Sequence, residues 1–305
     1  MRWLNSFNAA QDFSEQHGVG TIWVADREAD ILDVYAARWQ QHTHLVVRDQ
    51  HNRTLANSSS KLYSLLKQQP NAGTYEIEII HPQTLKKRSA KLAVRFCPVE
   101  VKVASNAKHK TKLGHPAMNA IEVCEVDAPD TVDKPIRWVL LTTLPVTSFE
   151  QALRVVRIYI KRWLVERFHY LLKTDGAQVE QLQLEQTRSL QNVITTYSIS
   201  IIQIIKIRYL SENQLYMSVF DAGIEPLKCK ILYAYAQKNV KKDLVFDADN
   251  PPTVYEYCQV LGMIGGFFPR KSQPLPGLKI LTRASEKFNH ILGAFDVFMA
   301  KNFDS

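Results

Sequence analysis

The chain has 305 residues, of which 46% are hydrophobic, and its formal net charge at pH 7 is +8. This length and composition fit a soluble globular protein with two or more subdomains, and the basic charge favours a polyanionic partner. The four cysteines are widely spaced and form no CxxC pair, which argues against a zinc site or a disulfide framework.

The sequence predicts a cytoplasmic protein without a membrane partner. The N-terminal segment has no basic-then-apolar signal pattern, and unpaired cysteines are typical of a reducing compartment. The most apolar segment, Ile199–Ile207, is interrupted by Gln203 and Lys206. It is too short to span a bilayer, so we predict a buried helix there.

The first part of the chain has the order of an α/β layer. A helix is predicted over Trp3–Glu15, followed by a buried strand over Thr21–Ala25 that ends at Asp26. A second helix is predicted over Asp30–Gln41 and a second strand over His44–Arg48. This β–α–β order is typical of a sheet covered by helices.

The middle of the chain alternates between apolar and polar residues. Such alternation predicts half-buried strands. The expected strands of this kind are Thr74–Ile80, Ala90–Val103 and Ala120–Val126, and a further, more uniformly apolar strand is expected over Trp138–Thr142. No long helical pattern intervenes, so we predict an antiparallel β insertion from about residue 70 to about residue 145.

From Ser148 onward the pattern is helical. The expected helices are Phe149–Thr174, Ser189–Leu210, Asn213–Ala236, Thr253–Leu261 and Ala284–Lys301. The last of these has an apolar stripe, which fits either a core or an exposed seam between subunits. Its members are Phe288, Ile291, Leu292, Phe295 and Phe298.

The helix predicted to contain Ile158–Lys173 has an unusual polar face. At about 100° per residue, Tyr159, Arg162, Glu166 and Lys173 fall within roughly 60° of one another on a continuous helix. One interpretation is a solvated face with an Arg162–Glu166 ion pair. The other is a functional site, in which a carboxylate stands among cations on a rigid element.

The spacing Tyr-x2-Arg-x3-Glu-x6-Lys of these four residues resembles the YREK signature of bacterial DDE transposases of the insertion-sequence-four type. The Tn-five transposase belongs to that group. The segment Asp26-Arg-Glu-Ala-Asp-Ile31 resembles the family's segment around its second catalytic aspartate. Gly265-Gly266-Phe267 and the final helix resemble the family's C-terminal region.

This resemblance implies a fold and an activity. The fold is α/β, with a partial RNase H-like core over residues 1–48 and 137–210. A linker and β-strand insertion occupy 49–136, and a helical dimerisation domain occupies 211–305. The implied activity is DNA transposition, in which phosphoryl transfer at transposon ends depends on two metal ions roughly 3.5–4 Å apart.

The resemblance also implies the catalytic residues. Asp26 and Glu166 correspond to metal-binding carboxylates, with Mg²⁺ as the cofactor and Mn²⁺ as its substitute. The alternative for Asp26 is a helix N-cap, and Glu28 and Asp30 compete with it as caps or solvated acids. The alternative for Glu166 is the ion pair with Arg162.

Five further residues are implied to bind DNA. Tyr159, Arg162 and Lys173 correspond to residues that hold transposon-end phosphates. Trp138 corresponds to a tryptophan that stacks on a flipped base, and its alternative is a buried aromatic of a strand. Arg48 corresponds to an arginine near the site.

The family's third carboxylate finds no counterpart here. About 25 residues precede Asp26, and Asp12 lies in a predicted helix, so we do not assign the role to it. We therefore expect a transposase lacking its N-terminal part and inactive alone, with DNA ends as ligand and a homodimer formed through the C-terminal helices. The alternatives are a noncatalytic DNA-binding or dimerising inhibitor of an intact transposase and a decayed remnant.

Overall fold

The computed structural model describes residues 2–36, 42–80, 87–103, 114–129, 132, 135–174 and 177–303. The architecture is mixed α/β, with an N-terminal, six-stranded, mixed and curled sheet followed by a largely helical C-terminal region. The chain divides into two compact units, Met1–Arg162 and Trp163–Ser305.

The N-terminal unit contains the sheet and the short helices that cover it. Its helices are α1 Arg2–His17, α2 Leu32–Tyr35, α3 Leu62–Gln68 and α4 Phe149–Ile160, with a 3₁₀ turn at Arg27–Ala29. Its strands are β1 Thr21–Ala25, β2 Thr43–Arg48, β3 Gly73–Ile80, β4 Lys87–Glu100, β5 Ala117–Val126 and β6 Arg137–Thr142.

The strands form one continuous sheet in the order β1-β2-β6-β5-β4-β3. β1 and β2 are parallel, and every other neighbouring pair is antiparallel. The predicted β–α–β order and the predicted antiparallel strands are thus confirmed. The strands of the predicted insertion extend the same sheet, because β5 pairs with β6 and β6 pairs with β2.

Both faces of the sheet are covered. Trp23, Leu45 and Val47 point to one face, where they pack against residues of α1, α2 and α3. Val46 and Leu140 point to the opposite face, against α4. This alternation follows from the period of two in a β-strand, and it explains why β1 and β2 read as nearly continuous apolar runs.

The C-terminal unit is helical in the part that the structure describes. Its helices are α5 Trp163–Lys173, α6 Thr187–Asn213, α7 Pro226–Asn239, α8 Val254–Ile264 and α9 Leu278–Phe303, with a 3₁₀ turn at Val179–Gln181. Residues of α7, α8 and α9 form most of its main core. Thr253 and Glu256 make a capping box that fixes the start of α8.

Several predicted helix boundaries differ from the observed ones. The helix predicted over Asn213–Ala236 begins only at Pro226, since proline at the first helical position is favourable there. The final helix begins earlier than predicted, at Leu278. Of the helix predicted over Asp30–Gln41, α2 is the observed part, and residues 37–41 lie outside the described residues.

The prediction of one continuous helix over Phe149–Thr174 was wrong. α4 ends at Ile160 and α5 begins at Trp163. At the break, the amides of Lys161 and Arg162 donate to carbonyls three residues earlier, at 3.1 and 3.0 Å. Such tightened bonds end an α-helix without a glycine or proline, and neither residue stands here.

The prediction that the segment around Ile199–Ile207 is a buried helix was also wrong in part. Only Ile201, Ile204 and Ser211 of α6 are buried, and Ile199 and Ile202 are 59% and 54% exposed. By length and composition alone, α6 is long and apolar enough to cross a membrane, with a hydropathy of 1.2 in its most apolar window. A single helix of this kind is weak support for a membrane span, because core helices of soluble proteins meet the same criterion.

Candidate functional site

Two of the predicted site residues lie at the same edge of the sheet. Asp26 follows the last residue of β1, and Arg48 is the last residue of β2. The two strands are parallel, with Ala25 opposite Val47, so both residues lie at the carboxyl ends of neighbouring strands. In open α/β sheets this edge is where ligands bind.

The Asp26 carboxylate caps the turn that follows it. Its Oδ1 accepts a hydrogen bond from the backbone amide of Glu28 at 3.0 Å, and its backbone has an extended N-cap conformation. The predicted alternative, a cap, therefore describes this oxygen in the structure. Capping and ligand binding use different lone pairs of a carboxylate, so the cap orients the side chain without excluding a ligand role.

Arg48 and Trp138 lie on the adjoining strand pair. Arg48 is opposite Leu140 of β6 and donates from Nη2 to the backbone carbonyl of Arg137 at 3.3 Å. Trp138 lies two residues before Leu140 in β6, on the face covered by α4.

Trp138 and Tyr159 are in direct contact. Their rings meet edge to face, with centroids 5.9 Å apart, and Tyr159 is 6% exposed. An edge-to-face pair of this kind stabilises a core, which is the alternative interpretation of Trp138. Trp138 itself is only half-buried, so part of its ring faces outward.

Glu166 and Lys173 belong to the C-terminal unit. Glu166 lies exposed in the first turn of α5, where a carboxylate is favoured by the helix dipole. Lys173 is the last residue of α5 and forms an exposed ion pair with Glu180 at 2.9 Å. Leu171 and Leu172 of α5 are buried in the core of the same unit.

The four signature residues do not share one helix face. Tyr159 is buried near the end of α4, Arg162 lies in the break, and Glu166 and Lys173 lie on α5. The predicted angular cluster assumed a continuous helix, and the break at Lys161 removes that geometry. Within the N-terminal unit the structure brings together Trp138 with Tyr159 and the strand ends that bear Asp26 and Arg48.

A buried polar cluster lies beside this strand edge, and the sequence analysis missed it. Asp30 was expected to be a cap or a solvated acid, yet it is 2% exposed. Its carboxylate accepts three hydrogen bonds: from the Tyr35 hydroxyl at 2.6 Å, from the backbone amide of Gln50 at 2.7 Å and from Nε of Arg53 at 2.7 Å. These bonds join the turn after β1 to the segment after β2.

Asp49, the residue after β2, completes this cluster. It is 4% exposed, and its Oδ2 accepts a hydrogen bond from the backbone amide of Asn52 at 3.2 Å. The Arg53 guanidinium is stacked over the Tyr35 ring, with a distance of 4.9 Å to the centroid. The only sequence signals were an acid directly after an apolar strand and an arginine four residues later, and both are common on protein surfaces.

The described residues do not supply a complete metal site. Among them, no group of three or more His, Cys, Asp or Glu side chains is placed to hold a metal ion. Asp26 has one oxygen engaged in capping, and Glu166 lies in the other unit. Mg²⁺ requires several oxygen ligands in octahedral arrangement, so these residues alone do not fit the ion.

No protein-family model matches the chain.

Proposed function

We propose that this chain is a transposase-type polypeptide of DNA transposition, with a partial RNase H-like core in its N-terminal sheet. The observation that supports this most strongly is a combination of two motifs in the expected order. Asp26 stands at the carboxyl end of β1, parallel to β2, and the YREK spacing follows after the antiparallel strands. A chance match to one motif is common, whereas two motifs separated by a β insertion are more specific.

The proposed DNA contacts fit the exposure of the cations. Lys173 has a side chain that is 57% exposed, and its partner Glu180 is 64% exposed. An exposed pair of this kind contributes little to stability, so a phosphate can replace Glu180 at small cost. Arg162 is half-buried in the turn after α4, and its guanidinium can bind a phosphate by two parallel hydrogen bonds.

Mg²⁺, or Mn²⁺ in its place, belongs to this proposal only where a further carboxylate completes the set. The family resemblance implies Asp26 and Glu166 as its ligands in this chain. The described residues do not form a three-ligand site for the ion.

DNA binding is the first test. We expect the chain to bind a fluorescent DNA duplex of arbitrary sequence with a strong salt dependence, measured by anisotropy. Arg162→Ala and Lys173→Ala should each reduce the slope of log affinity against log salt by about 1, because one phosphate contact is lost. Glu180→Gln should strengthen binding, since it frees Lys173 from its ion pair.

The matched control is Lys238→Ala, which removes an exposed cation near the end of α7. It should leave the salt slope unchanged. If both signature variants bind as the wild type does, or if Lys238→Ala weakens binding equally, the signature residues do not meet phosphates and the exposed face is merely solvated.

A noncatalytic DNA-binding inhibitor is the second candidate. The incomplete acid set among the described residues favours it over a self-sufficient enzyme. The same protein, incubated with the duplex and Mn²⁺, should not nick DNA by itself. Nicking that is lost in Glu166→Gln would contradict the inhibitor and show that a further carboxylate of the chain completes the site.

A further inference from the structure

Two buried carboxylates, Asp30 after the turn that follows β1 and Asp49 after β2, lie near one guanidinium. The side chains of Asp30 and Asp49 are 0% exposed, and Arg53 lies between them. The short bonds of Arg53 go to Asp30, with Nε 2.7 Å from Oδ1 and Nη2 2.6 Å from the backbone carbonyl. Nε is 3.9 Å from Oδ1 of Asp49, beyond hydrogen-bonding distance.

The other neighbours of Asp49 do not neutralise it. The Asn52 amide donates to Oδ2, whereas Oδ1 has no hydrogen-bond partner among the described residues. The Tyr63 hydroxyl of α3 donates a hydrogen bond to the carboxyl, and the Arg137 guanidinium of β6 lies over the Tyr63 ring, 4.4 Å from its centroid. Arg137 pairs at 2.8 Å with Glu122 of β5, which also pairs with Arg95 at 3.2 Å. Within the group of Asp30, Asp49 and Arg53, one unit of negative charge is left over when both buried acids are ionised.

We infer that Asp49 is a proton-binding site, and that its ionisation loosens the clamp between the turn after β1 and the segment after β2. When Asp49 is protonated, Arg53 is committed to Asp30 and the buried cluster is neutral. When Asp49 ionises, its carboxylate competes with that of Asp30 for the Arg53 guanidinium, and the two carboxylates repel each other. Buried charges without a close partner are costly, so the segment Gln50–Arg53 opens more readily.

The electrostatics of the cluster agree with this geometry. Burial raises the pKa of the Asp49 carboxyl above its ordinary value, and the charge on Asp30 adds to the rise. Tyr63, the Asn52 amide and Arg53 lower that pKa and offset part of the rise. Burial and Asp49 together raise the pKa of Tyr63 to about 12, so its hydroxyl stays protonated throughout.

The sign of the pH effect follows from this direction. A carboxyl whose pKa is higher in the folded state stabilises the fold below its unfolded pKa, and the stabilisation is lost as pH rises through the folded pKa. Acidification from neutral pH should therefore tighten the clamp. The inference does not depend on the proposed role in transposition.

The test is a pH titration of the full chain, in which NMR of ¹³C-labelled aspartate monitors each carboxyl group. We expect the Asp49 midpoint to lie above the ordinary value of an aspartate carboxyl. Asp33, an exposed acid in α2, is the site of the control substitution. We also expect hydrogen exchange at the Gln50 amide, corrected for its intrinsic rate, to accelerate across the Asp49 midpoint in the wild type. In Asp49→Asn that acceleration should disappear, whereas Asp33→Asn should retain it.

Two results would overturn the inference. One is an Asp49 midpoint at or below the ordinary value of an aspartate carboxyl. The other is exchange at Gln50 with the same pH profile in the wild type and in Asp49→Asn. If Asp49→Asn does not fold, the wild-type titration and the wild-type exchange profile still decide the question.

Discussion

At the scale of single residues, the buried carboxylate of Asp30 depends on three hydrogen-bond donors. Its carboxylate accepts from a tyrosine, a backbone amide and an arginine, all at the junction of two strand ends. Asp30→Ala would leave Arg53 and the Gln50 amide without these acceptors. We expect a loss of about 3–5 kcal/mol in the free energy of unfolding, the usual cost of removing one partner of a buried pair.

The measurement for Asp30→Ala is urea unfolding followed by tryptophan fluorescence. Asp33→Ala serves as the control, because Asp33 is exposed in the same segment and should change stability by less than about 0.5 kcal/mol. Equal effects of the two substitutions would show that the cluster around Asp30 contributes no special stability.

Some of these residue positions could be predicted from the sequence, and others could not. The placement of Asp26 at a strand end was predictable, since a short apolar run closed by an acid has a clear pattern. The burial of Asp30 was not, because its partners Gln50 and Arg53 are more than fifteen residues away and belong to another segment. Long-range polar contacts of this kind leave no periodic signal in a sequence.

At the scale of elements, the packing of α8 against α9 depends on a close approach at Gly265. A Cβ at Gly265 would lie 2.9 Å from both the Ala284 Cβ and the Ile280 carbonyl oxygen. Because backbone atoms of α9 are in the way, Gly265→Ala should force the helices apart. We expect a loss of about 1–3 kcal/mol in stability, as is typical of overpacking.

Gly293→Ala is the matched control for Gly265→Ala. Gly293 lies within α9, and a Cβ there would meet nothing within 4 Å. Alanine in a helix interior should therefore stabilise the unit by about 0.4–1 kcal/mol. Both variants can be followed by helical circular dichroism in urea, and a neutral Gly265→Ala would show that α8 and α9 separate without cost.

Elements also differ in how well the sequence predicted them. Among the four middle strands, β3 was found because polar and apolar residues alternate along it, as at Tyr75 and Ile77. β6 was found instead as a short apolar run, and it is buried over Val139–Thr142. The break at Lys161 was missed because no glycine or proline marks it in the sequence. Periodicity shows which side of a segment is apolar. It does not show where the backbone hydrogen bonds change from the carbonyl four residues earlier to the one three residues earlier.

At the scale of the whole molecule, self-association through the C-terminal helices stays a prediction. Of the apolar stripe predicted on α9, Phe288 is buried, Ile291 and Leu292 pack against the core of the unit, Phe295 is half-buried and Phe298 is 65% exposed. Outside this stripe, Val297 and Met299 near the end of the helix are 58% and 36% exposed. The part of α9 before Gly293 is thus engaged in the fold, and we predict that a second copy would bind to the part after it.

The double substitution Val297→Lys with Met299→Lys tests that surface. We expect the wild type to show a concentration-dependent increase in mass by sedimentation, and the double variant to remain monomeric, because two buried cations would oppose the contact. Asn289→Lys with Asp296→Asn adds the same charge on α9 without removing an apolar side chain, and it should associate as the wild type does. A wild type that is monomeric at high concentration, or a double variant that associates normally, would contradict a subunit contact at the end of α9.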